Sequence, residues 1–214
     1  MDYKVIDIEK WERREFFEHY INAVPCTYSM TVKIDVTNIK LQNLKLFPAL
    51  LYCLTKTVNN FEEFRTALRN DGELVVYRAM LPCYTVFHKD TKTFSNLWTE
   101  FTEDFAEFAR RYELDVEHYG KVEGFMAKPD VPENSFTVSV LPWVSFEGFN
   151  LNVKGFDYLL PIFTAGKCTE ADGRYTLPLA VQVHHAVCDG YCASCFINDL
   201  QAELDNLAGT ENKQ

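Results

Sequence analysis

Two adjacent histidines close an apolar run in this sequence. Leu177-Pro178-Leu179-Ala180-Val181-Gln182-Val183 leads into His184-His185-Ala186-Val187-Cys188-Asp189-Gly190. Imidazole has an ordinary pKa close to neutrality, so a His at a strand end is a candidate general base. Neighbours on an extended chain point to opposite faces, so the two rings cannot share one role. One can face a cleft while the other packs inward. Asp189 stands where it would cap a helix, and Gly190 where the chain bends. Residue types alone leave two readings open: a proton-transfer site, and a structural turn in which the His pair is incidental. A metal site is a third, because His184, His185, Cys188, Cys192 and Cys195 lie close together. Their spacing matches no four-ligand zinc pattern, and Cys192 and Cys195 fit the buried stripe of a helix, so no metal is expected.

The elements that would position this motif are legible from periodicity. Apolar residues at every second position (Tyr28, Met30, Val32, Ile34, Val36) predict a half-buried strand over 26–36. Strands are also predicted over 73–77, 83–88, 136–141, 159–164 and 176–184. Helices are predicted over 11–20, over 48–60 with Pro48 in its first turn, and over 103–119. A final helix carries the stripe Cys192, Phe196, Leu200, Leu204 and Leu207. Strands and helices do not alternate regularly. The expected fold class is therefore α+β with a mixed β-sheet flanked by helices, in a single domain over 1–214. The polar tail 208–214 is expected to be disordered.

Composition narrows the function. Apolar residues make up 47% and charged residues 24% of 214, an ordinary globular balance. Seventeen Phe, 11 Tyr and 3 Trp suit an apolar pocket or a subunit interface. The net charge of −10 repels phosphate backbones, so no nucleic-acid partner is expected. No Gly-rich phosphate loop is present. The apolar stretch 46–54 is too short for a membrane span, and the charged start reads as no export signal. Seven cysteines then read as reduced thiols in a cytoplasmic protein.

His184-His185-x-x-x-Asp189-Gly190 after an apolar strand resembles the signature shared by chloramphenicol acetyltransferases and dihydrolipoyl acyltransferase catalytic domains. Further segments resemble the first family in order and spacing. They are Trp11-Glu12-Arg13-Arg14-Glu15, Pro25-Cys26-Thr27-Tyr28-Ser29, Glu63-Phe64-Arg65, Tyr84-Thr85-Val86-Phe87-His88, Thr93-Phe94-Ser95, Leu141-Pro142-Trp143-Val144 and Phe149-Asn150-Leu151-Asn152. The resemblance runs from about residue 3 to 207 and identifies the chain as a member of the chloramphenicol acetyltransferases.

That family implies acetyl transfer from acetyl-coenzyme A to the primary hydroxyl of chloramphenicol, directly within a ternary complex. His185 would be the general base, Ser139 would donate to the tetrahedral oxyanion, and Thr164 would position a water. Asp189 would pair with Arg13 as a structural ion pair rather than orient His185. A buried pair of that kind is costly to break, about 3–5 kcal/mol. Acceptor contacts implied are Tyr20, Cys26, Tyr28, Thr85, Phe94, Leu151, Val153 and Ile162. Those for coenzyme A are Lys45, Phe47, Trp143 and Lys167. The family also implies a homotrimer with active sites between subunits.

Three departures stand out: Cys192 where the family usually has His, Met126 for a pocket aromatic, and Cys168 where an aromatic is common. None removes a catalytic group. They leave room for a different hydroxylated acceptor, while a protein that only sequesters an aromatic ligand is the reading the His185–Ser139 combination opposes.

Overall fold

The computed structural model describes residues 2–151 and 157–207. Val153 and the tail 208–214 lie outside the described residues. The fold is built on one long strand. In the run ending at His184, Leu179, Val181 and Val183 are all buried, as are Ala180 and Gln182 between them. A strand buried on both faces must lie inside a sheet. It is β10 (Arg174–His184), flanked by β2 (Thr27–Asp35) and β8 (Ile162–Ala165), both antiparallel to it.

The sheet continues past β8 through β7 (Ser135–Val140), β5 (Leu81–His88) and β6 (Thr93–Trp98), while β9 (Thr169–Ala171) pairs with the start of β10. The β7–β8 and β5–β7 pairs are parallel and the others antiparallel, so this is the mixed sheet expected. A second, three-stranded sheet has the order β1 (Tyr3–Val5), β4 (Leu74–Tyr77), β3 (Thr66–Leu68).

The two faces of the large sheet differ. Val138, Phe163 and Val181 sit side by side on adjacent strands, and all are fully buried. Phe163 meets Phe196, which stacks on Phe64 with centroids 4.0 Å apart. Phe196 belongs to α5 (Gly190–Asn206), which packs on α3 (Leu46–Val58), and α3 packs in turn on α4 (Phe105–Tyr119). Asp104 caps α4 by accepting from Glu107 N at 3.0 Å. One residue over, the row Ser139, Thr164, Ala180, Thr31 runs across the same three strands and on to β2, and points the other way. That face is small and polar, and its Ser139 lines a cavity.

Several boundaries differ from expectation. The helix expected over 11–20 is only α1 (Arg14–Glu18) before the chain widens into a π-turn, His19–Ala23. The strand expected over 159–164 begins at Ile162, because Leu159 and Leu160 are spent on the core before pairing starts. Helix α3 begins at Leu46, with Pro48 still in its first turn, where a missing N–H costs nothing. A short helix, α2 (Thr37–Leu41), and strands β1, β3, β6 and β9 had no prediction. Four of these five elements hold only three to five residues, too few to establish a period.

Candidate active site

The two histidines have different surroundings. His184, the last residue of β10, is fully buried, and its Nδ1 accepts from Ala186 N at 3.1 Å. That bond commits the Nδ1 lone pair. His185 begins a tight turn in which Val187 N and Cys188 N both return to His184 O. It is only partly buried. Its ring lies flat against Tyr20, centroids 3.9 Å apart and planes within 9°, and edge-on to Tyr28 at 5.3 Å. The π-turn carries Tyr20 to this position. His185 N donates to Cys26 O at 3.1 Å. His185 Nδ1 has no hydrogen-bond partner among the described residues.

Asp189 serves two partners. Its Oδ1 accepts from Cys192 N at 2.9 Å and caps α5. Its Oδ2 accepts from Arg13 Nη1 at 3.1 Å. The Cys192 N–H first, and then Arg13, hold the carboxyl below the ordinary aspartate range. The pair is not fully buried, since the side chains are 25% and 40% exposed. The cost of about 3–5 kcal/mol expected for a buried pair is therefore too high. Cys192 packs against Cys188, which raises its thiol pKa.

Ser139 stands elsewhere. It faces a cavity of about 490 Å³ with Phe47, Thr85, Phe94, Tyr112 and Trp143 among its lining. Burial raises the Tyr112 hydroxyl to about 12, so the wall stays neutral at working pH. Thr164, beside Ser139 in register, is 2% exposed. The cavity lining contains neither His185 nor Tyr20 nor Tyr28. The register explains why. Ser139 is level with Thr164 and Ala180, whereas His184 lies four residues further along β10, about 13 Å at the strand rise. Ser139 is also two strands away from β10, about another 10 Å.

The sequence-predicted residues thus fall into two groups. Tyr20, Cys26 and Tyr28 gather at His185. Thr85, Phe94, Phe47 and Trp143 gather at Ser139. Ile162 lies between, opposite Gln182 on β10 and Thr137 on β7. Leu151 is partly exposed over the sheet, its N–H donating to Gln182. Lys45 occupies the N-cap position of α3, without a side-chain cap bond, and pairs with Glu113 at 2.7 Å, and Lys167 is exposed with its N–H on Val144 O. Neither lysine lines the cavity. Met126 joins the edge of β6 at Asn96, and Cys168 is partly buried. Among the liners that sequence reasoning missed are Tyr112 and Val116 on α4. Their only signal was the apolar stripe of α4, which does not separate a cavity wall from core. Among the described residues no group of His, Cys, Asp and Glu could hold a metal ion, and all seven cysteines are free.

A chloramphenicol acetyltransferase family profile matches residues 1–201. The chain belongs to the chloramphenicol acetyltransferase family. A relative from Vibrio anguillarum called chloramphenicol acetyltransferase is 52% identical over 208 residues, covering 97% of this chain and 96% of its own. One of the same name from Campylobacter coli is 55% identical over 206 residues, covering 96% and 100%. Among solved structures, a chloramphenicol acetyltransferase superposes with a TM-score of 0.82 at 24% identity over 95% of this chain and 100% of its own. A truncated catalytic core of the 2-oxoacid dehydrogenase multienzyme complex from Thermoplasma acidophilum gives 0.66 at 13% over 95% and 98%. Those two likenesses concern the fold. The chain is an acetyltransferase, and no helix among its described residues is long and apolar enough to cross a membrane.

Proposed function

We propose that this acetyltransferase moves the acetyl group of acetyl-coenzyme A onto the primary hydroxyl of chloramphenicol, inactivating the antibiotic. Both substrates are bound together and no acetyl-enzyme forms. His185 takes the hydroxyl proton as that oxygen bonds to the thioester carbon. Ser139 donates to the oxyanion that results, and Thr164 holds a water beside it. As the C–S bond breaks, the proton on His185 passes to the departing sulfur. Arg13 and Asp189 keep the first and last helices in place.

The observation that carries this reading is the separation of His185 from Ser139 within one chain. Each half of the required chemistry has its own setting: a partly buried imidazole flanked by tyrosines, and a hydroxyl lining an apolar cavity. A homotrimer in which His185 of one subunit meets Ser139 of the next unites them, and a closed ring supplies every subunit with a neighbour. The acceptor then meets Tyr20, Cys26 and Tyr28 from one side and Thr85, Phe94, Leu151, Val153 and Ile162 from the other. Phe47 and Trp143 give the coenzyme an apolar channel, and Lys45 and Lys167 offset the acidic charge near its phosphates. The whole chain, 1–214, acts as one cytoplasmic domain.

The test is release of free thiol from acetyl-coenzyme A, with and without chloramphenicol. Drug-dependent release supports the reading. Well-folded protein that releases none, while turning over another alcohol, assigns the same chemistry to a different acceptor.

A further inference from the structure

The segment that carries Leu151 is fastened to the sheet residue by residue. Phe149 N donates to Thr31 Oγ1 at 3.2 Å. Ser29 Oγ lies 2.7 Å from Asn150 Oδ1. Leu151 N donates to Gln182 Oε1 at 2.8 Å. All three anchors project from the open face. Ser29 and Thr31 alternate along β2, and Gln182 is the cross-strand partner of Ser29 on β10.

Gln182 is the central anchor. It is 5% exposed, the one strongly polar side chain in the run 177–183. A buried amide is retained at such a position only when it is hydrogen-bonded. Its Oε1 meets a donor from the loop, Leu151 N, and lies 3.2 Å from Ser29 Oγ on the sheet. On its other side, the β8 residue opposite Gln182 is Ile162. Gln182 therefore stands between two residues read above as acceptor contacts, Leu151 and Ile162.

The geometry points to Gln182 as a positioning residue for the acceptor. Its amide oxygen holds the Leu151 backbone over the sheet and so fixes the pocket wall beside Ile162. The assignment rests on the acceptor role of Leu151. Gln182 touches no reacting atom, so its effect belongs to acceptor binding rather than to proton transfer.

Two variants and two measurements test it. Gln182→Met keeps length and flexibility but removes the hydrogen-bonding oxygen. Gln182→Glu keeps an oxygen for Leu151 N–H. In steady-state assays Gln182→Met is expected to raise the chloramphenicol KM about tenfold, the worth of one net hydrogen bond, with kcat and the acetyl-coenzyme A KM near those of the unmodified enzyme. Gln182→Glu is expected to recover most of that loss. Amide hydrogen exchange in the free protein is expected to speed at Leu151 in Gln182→Met and to stay slow in Gln182→Glu. An unchanged acceptor KM in Gln182→Met overturns the assignment, as does a uniform fall in kcat and both affinities alongside lower thermal stability. Turnover by the unmodified protein is checked first, so its absence counts against the functional reading. In that event unchanged exchange at Leu151 still overturns the role of Gln182, and faster exchange upholds its hold on the loop.

Discussion

Arg13 Nη1 donates to Asp189 Oδ2 at 3.1 Å, joining residues 176 positions apart and tying the entry of the first helix to the head of the last. The same carboxylate caps α5 through Oδ1. Removing Arg13 therefore breaks one of two functions, while removing Asp189 breaks both. Arg13→Ala is expected to destabilise the fold by about 1–2 kcal/mol, between the values for exposed and buried pairs. Asp189→Ala is expected to cost about 1 kcal/mol more, for the lost cap. Denaturant melts of the two single variants and the double variant check this.

The depressed Asp189 pKa has a pH consequence. A carboxyl whose folded pKa lies below its unfolded value contributes stability that is present above the unfolded pKa, about 3.9, and is lost as pH falls through the folded one. The stability gap between the native chain and Asp189→Ala is therefore expected to be constant near neutrality and to shrink below about pH 4. Melts across that range measure it. A gap that holds in full below both pKa values contradicts the assignment.

The two histidines are expected to respond differently to truncation. His185→Ala leaves the core untouched and is expected to lower kcat by at least about 10²–10⁴-fold with little change in melting temperature. His184 is fully buried and accepts from Ala186 N. Its loss is expected to leave that N–H unsatisfied and lower stability by about 1–3 kcal/mol. Parallel kinetics and melts separate the two roles.

Mixing two inactive variants tests the shared site. If each site takes His185 from one subunit and Ser139 from the next, random assembly of equal His185→Ala and Ser139→Ala chains rebuilds an intact pair at about a quarter of the interfaces. Co-refolded mixtures are expected to recover about that fraction of native activity, and each variant refolded alone almost none. No recovery in well-assembled mixtures means that the site lies within one chain.

The core behind the sheet yields a stability prediction. Phe196 is fully buried and touches Phe64, Phe163 and Phe61. Phe196→Ala is expected to cost about 3–5 kcal/mol, since three rings lose a partner at once. Chemical denaturation measures it.

Much of this protein was determined by the sequence alone, where a physical signal was strong and local. The run 177–183 marks an interior strand because a strand covered on both faces is apolar at nearly every position, Gln182 being the exception. Helix α4 follows from its apolar stripe, and the His-His-x-x-x-Asp-Gly motif points to the family only together with the segments that resemble it from about residue 3 to 207. Elements of three to five residues such as β1, β3 and α2 stayed hidden, since a period needs more residues to declare itself. The tertiary structure decided the rest through register. Strand pairing sets Ser139 level with Ala180 and leaves His185 beyond the end of β10, so two residues that look like partners in the sequence are held apart in one chain. Strand pairing also sets Gln182 opposite Ser29, which an alternating pattern marks only as facing away from the helices. Register depends on which strands meet and where. That information lies in contacts between distant residues, and no local window of sequence contains it.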